Sequence, residues 1–161
     1  MNDEQLPEWV RKQKAANETK CLREEVDRQT AIAGSLRIQH EGPQIVGDLL
    51  RELLMQVEAA RELGFSGGVT PKSEPDSDYV GQVNVILPGN YPRFTHTAIH
   101  YNNGDNEIRF LTLEGKAFKL LFMVHKDGVR LYRENSVTPM TSRDAAEWLV
   151  ERMCASVSKR Y

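Results

Sequence analysis

The sequence predicts an α+β fold in which helices come first, an antiparallel sheet follows, and one more helix closes the chain. Three observations carry this reading. Up to about residue 64 the apolar side chains recur every three or four positions, and between about 80 and 132 they recur every second one. The turn signals in that second stretch are too closely spaced to admit crossover helices, so its strands form a meander.

The first helix begins near Pro7, a residue suited to the first helical position because its missing N–H costs nothing there. Residues 11–20, RKQKAANETK, hold no large apolar side chain, so this stretch is expected to be frayed, or helical only in company. From Cys21 the pattern strengthens, with Leu22, Val26, Ala33 and Leu36 at helical spacing. Gly42-Pro43 is expected to interrupt it, since proline disfavours the helical conformation in the residue before it.

The second helix carries the broadest stripe: Val46, Leu49, Leu50, Leu53, Leu54, Val57 and Ala60, with Asp48, Arg51, Glu52, Glu58 and Arg61 opposite. Gly64 suits the left-handed position that ends a helix. The two helices are expected to form a hairpin or a long bent arm. Residues 65–78 read as a linker, because SGGVTPKSEPDSD is rich in turn formers and has no apolar period.

Five strands are expected after it. The first, around Val83, Val85 and Leu87, stops at Pro88-Gly89-Asn90, and the second spans Arg93 to Tyr101. The third runs from Glu107 to Leu113, turning at Glu114-Gly115-Lys116. Phe118 to His125, apolar on both faces, is the fourth and belongs inside the sheet. Lys126-Asp127-Gly128 leads into a short fifth from Val129 to Tyr132. Thr141 can cap the closing helix, whose apolar face is Ala146, Leu149, Val150, Met153 and Val157. The expected organisation is a helical region 1–64, a linker 65–78, and a sheet with its helix at 79–161, compact with the helical region.

Composition narrows the function classes. With 161 residues, 40% apolar and 27% charged, the chain can bury a core without disulfides or a structural metal. A net charge of −2 argues against a general polyanion binder. The charge is uneven: nine Lys/Arg against twelve Asp/Glu in residues 1–64, ten against seven in 106–161. Two cysteines, Cys21 and Cys154, do not make the framework of a small secreted domain. The first residues lack the apolar core of a signal peptide, and no stretch has the ~20 apolar residues that cross a bilayer. The expected compartment is the cytoplasm.

Several motifs fail a check of context. Gly64-Phe65-Ser66-Gly67-Gly68 matches the nucleophile elbow G-x-S-x-G, but that motif needs a strand before it and a helix after. Here the order is reversed. His96 and His100 would share one helix face, yet Thr95, Thr97, Ile99 and Tyr101 favour a strand. There, four residues span ~13 Å, too far for the ~2 Å bonds of one zinc ion. Asn17-Glu18-Thr19 is a glycosylation sequon that carries no weight without export. Arg130, Arg133, Arg143, Arg152, Lys159 and Arg160 make the last third mildly basic, but acids lie between them and no RNP-type aromatic signature accompanies them.

The chain is therefore expected to be a non-enzymatic interaction or regulatory protein. It would form a homo-oligomer or bind a protein partner through its amphipathic helices, along Val46, Leu49, Leu50, Leu53, Leu54 and Val57. The alternative is a small-ligand-binding or enzymatic module using a sheet face with Phe94, His96, His100 and Phe110. No metal or cofactor is expected, and neither nucleic acid nor a membrane is the expected partner.

Overall fold

The computed structural model describes residues 2–71, 78–102 and 105–159. The chain divides into two compact units, residues 1–36 and 37–161, and one continuous helix, α1 (Glu8–Ala59), contributes to both.

In the first unit a 3-10 turn at Asp3–Gln5 precedes α1, and the Pro7 carbonyl accepts the Arg11 N–H at 3.1 Å. Residues 11–20 are helical despite having no large apolar side chain. Ion pairs along the helix help hold it: Glu8–Lys12 at 2.9 Å, Lys20–Glu24 at 3.9 Å and Glu25–Arg28 at 2.7 Å. Each such exposed pair adds little by itself, because water screens it.

In the second unit α1 runs straight through Gly42-Pro43, where the sequence predicts a break. The hairpin is thus replaced by one helix. The reason is tertiary. Ile38, Gly42, Val46, Leu49, Leu53 and Val57 follow one another at spacings of four, four, three, four and four, and all are buried against the sheet or the last helix. Pro43 itself is exposed. It has no N–H to give the Gln39 carbonyl, a cost this apolar stripe outweighs. A 3-10 turn at Ala60–Leu63 follows, and Gly64, at φ 87°, donates to Arg61 while Phe65 donates back to Ala60 at 3.2 Å. The left-handed end predicted at Gly64 is present.

The sheet has six antiparallel strands in sequence order, one more than predicted: β1 (Ser66–Pro71), β2 (Tyr79–Leu87), β3 (Arg93–His100), β4 (Glu107–Thr112), β5 (Ala117–His125) and β6 (Gly128–Arg133). The extra strand, β1, comes from the stretch read as a linker, of which residues 72–77 lie outside the described residues. It pairs with β2 from Ser66 opposite Ile86 to Pro71 opposite Gly81. Gly67 permits this, since a Cβ there would overlap the Asn84 carbonyl.

Alternation along the strands gives the sheet two unlike faces. Val83, Val85, Thr95, Thr97, Ile99, Ile108, Phe110, Leu120 and Phe122 form the buried face. It packs against the 38–57 stripe of α1 and against α2 (Ser142–Ser158), through Ala146, Leu149, Val150, Met153 and Val157. The start of α2 has the predicted cap. Thr141 Oγ1 accepts the Asp144 N–H at 3.1 Å and Asp144 Oδ2 accepts the Thr141 N–H at 3.0 Å. These bonds hold the Asp144 carboxyl below the usual aspartate range.

Candidate functional site

The second face of the sheet is where the candidate residues gather. Phe94, His96, Ala98 and His100 all project from it, with Phe94 59% exposed and the two histidines half-buried. Phe110 projects from the other face, although it lines one depression together with His100. It stands opposite Ile99 in the ladder and shares that residue's buried side, where its ring stacks on Phe118 with centroids 4.8 Å apart.

His100 is tied into a polar cluster that sequence reasoning missed. Its Nδ1 lies 3.4 Å from Asp78 Oδ1, and Arg109, directly opposite it on β4, donates from Nη2 to Asp78 Oδ2 at 2.7 Å. Asp105 lies 3.8 Å from the same guanidinium, and the Tyr79 ring meets the imidazole edge-on at 5.7 Å. The Asp78 carboxyl is held below its ordinary range, first by the His100 contact and then by the charges of His100 and Arg109. One strand further on, Lys119 faces Arg109 and pairs with Glu107 at 3.1 Å and Glu134 at 3.8 Å, which hold its ammonium above the ordinary lysine range.

Beside this charged row lies an apolar one, in which Ala98, Leu111 and Ala117 are successive ladder partners. Between the rows is a shallow depression of about 340 Å³, lined by His100, Arg109, Leu111, Ala117 and Lys119 among others. Cationic, acidic and apolar groups thus stand side by side, with Glu107 and Glu134 also in the lining. The signal that could have found the cluster is the run of turn formers Asn102-Asn103-Gly104-Asp105 in the sequence, which separates two strands whose ladder sets Arg109 opposite His100. Asp78 lies in the stretch that the sequence reads as a linker.

Among the described residues no three His, Cys, Asp or Glu side chains are grouped to hold a metal ion. No helix among them is long and apolar enough to cross a membrane. The two thiols differ. Cys21 is exposed, whereas burial pushes the half-buried Cys154 above the usual cysteine range.

The helical surface is distributed differently from the expectation. Val46, Leu49, Leu53 and Val57 are at most 5% exposed, Leu50 packs against the core, and Leu54 is 41% exposed. The stripe of the 43–63 segment serves the chain's own core. Exposed apolar side chains lie beside it at Leu54 and Met55 and, in greater number along α1, in the first unit, where Trp9, Leu22, Val26, Ile32 and Leu36 are between 52% and 72% exposed.

No protein-family model matches the chain, and neither a curated protein nor a solved structure matches it.

Proposed function

We propose that this chain is a non-enzymatic interaction protein that self-associates through the first unit's part of α1. The observation that carries the reading is the row of large apolar side chains from Trp9 to Leu36, each more than half exposed on one helix. A lone helix is marginal in water, and an apolar face of this kind is ordinarily covered.

The spacing favours a second copy as the cover. Thr19, Leu22, Val26, Gln29, Ala33 and Leu36 alternate by three and four residues and are all exposed. In a heptad frame the β-branched Thr19 and Val26 fall at a and the leucines Leu22 and Leu36 at d, the combination that favours two parallel strands. In that register Glu18 of one copy faces Arg23 of the other. An antiparallel pairing of the same seam sets Arg23 against Thr30 and Glu25 against Ile32, with no attraction gained.

Light scattering across a dilution series of the full chain tests this. A dimer that dissociates on dilution, and that Leu22→Glu with Val26→Glu abolishes without loss of the sheet, is expected. A strictly monomeric particle at about 100 µM would sink the reading.

A second reading rests on the depression beside His100 and Arg109: a module that binds a small ligand on the open sheet face. A compound that binds only the folded state must raise the melting temperature. A thermal-shift screen of metals and metabolites, with His96→Ala and His100→Ala as controls, separates the two readings. Silence throughout removes this one.

A further inference from the structure

Beside that depression, two arginines are held against one tryptophan and left with their charges unspent. The Arg152 guanidinium lies 4.8 Å from the Trp148 ring centroid and that of Arg133 lies 5.5 Å from it. Arg152 follows Trp148 by one turn of α2, and Arg133 ends β6. Phe118 of β5 meets Trp148 edge-on at 5.2 Å and supports the Arg152 group at 6.0 Å. Among the described residues neither guanidinium makes an ion pair or a hydrogen bond. Six other arginines (Arg28, Arg37, Arg51, Arg109, Arg130 and Arg143) each hold a carboxylate. Stacking on an aromatic face fixes a guanidinium in place but leaves its N–H donors available.

Both groups line one cleft of about 550 Å³, between α2 and the turn that follows β6. Three cationic side chains border it, Lys119, Arg133 and Arg152, against a single carboxylate, Glu134, which Lys119 already engages at 3.8 Å. The cleft thus carries a positive surplus in a chain that is negative as a whole. Its size falls in the range of small-ligand pockets. Trp148, Phe118 and the almost fully exposed Val137 add an apolar wall.

We infer that this cleft binds the phosphoryl group of a small organic phosphate. One carboxylate carries a single charge and two oxygens, which one forked guanidinium can match edge to edge. A phosphoryl dianion has three terminal oxygens and the charge to engage two such forks. The aromatic wall takes the organic part. This site is separate from the helical surface and shares Phe118, Lys119 and Glu134 with the His100 depression, whereas Arg133, Arg152 and Trp148 belong to the cleft alone.

The test uses the full chain carrying Trp9→Phe, which leaves Trp148 as its one tryptophan. Fluorescence titration and calorimetry are run with inorganic phosphate, with phenyl phosphate and with phenol. Saturable binding of phenyl phosphate is expected, tighter than that of inorganic phosphate, with no response to phenol. Arg133→Gln with Arg152→Gln should weaken it by about tenfold or more, equivalent to losing charge-assisted bonds, while Arg152→Lys retains part of it. Unchanged circular dichroism and melting temperature of the variants establish that a loss arises at the cleft. The inference is overturned by an absence of saturation up to about 20 mM ligand, by undiminished binding in the double variant, or by benzoate binding as well as phenyl phosphate. A single-stranded oligonucleotide that binds far tighter through the same arginines, with steep salt dependence, would also overturn it in favour of a polyanion surface.

Discussion

Gly42 of α1 lies directly against the phenol of Tyr101, so close that a Cβ there would overlap the phenolic oxygen. Tyr101 is itself 7% exposed and packs edge-on against Phe122, with centroids 5.8 Å apart, so its ring cannot simply swing aside. Gly42→Ala should therefore destabilise by about 1–3 kcal/mol, even though alanine is the better helix former by about 1 kcal/mol. Pairing it with Tyr101→Phe removes the atom struck first and should recover part of the loss. Denaturant midpoints of the double-mutant cycle check this; additive effects would show that the contact is not the cause.

The neighbouring proline should behave in the opposite way. Pro43 is exposed in the helix interior and gives the Gln39 carbonyl no N–H. Pro43→Ala restores that bond in a helix already held by its apolar stripe, and is expected to stabilise by about 1 kcal/mol or more. A fall in melting temperature would mean that the proline ring itself supports the packing.

Adjacent leucines in the same helix should respond very differently. Leu53 is 0% exposed and Leu54 is 41% exposed. Leu53→Ala removes core contacts and leaves a cavity, at a cost of about 2–5 kcal/mol, whereas Leu54→Ala should cost well under about 1.5 kcal/mol. Equal losses by chemical denaturation would contradict the assignment of this stripe to the chain's own core.

The Asp78 contacts predict a pH dependence of definite sign. Because the carboxyl is depressed in the folded state, its contribution is complete well above the ordinary aspartate value of 3.8. It is then lost as pH falls below that value through the folded one. Asp78→Asn should consequently lower the melting temperature at pH 7 by more than at pH 3. The same offset at both values would show that Asp78 stabilises through neutral hydrogen bonds alone.

The end of β2, the boundaries of β3 to β6 to within a residue, and the capped start of α2 were legible because each has a local cause. Alternation marks a half-buried strand, Asn, Asp and Gly mark the turns, and Thr141 with Asp144 marks a helix start. The failures came where a distant part of the chain decides. Gly42-Pro43 reads as a break until the Ile38–Val57 stripe finds the sheet. β1 reads as a linker because its pairing with β2 is made by backbone, with glycine where that backbone comes closest. The same holds at the sites. The shared face of Phe94, His96 and His100 follows from a period of two, but Asp78 and Arg109 reach His100 only through strand register. Trp148 and Arg152 stand four apart on a helix, a spacing visible in the sequence. That Arg133 completes the pair is set by the end of β6.

The unequal surroundings of the two thiols give this molecule a built-in point of attachment. An alkylating probe requires the thiolate. The half-buried sulfur of Cys154 is both shielded and reluctant to ionise, while Cys21 stands in the open on α1. Under brief, mild labelling a fluorophore or spin label will go to position 21 without any engineering. It would then report from the helix through which association is proposed, one residue before Leu22.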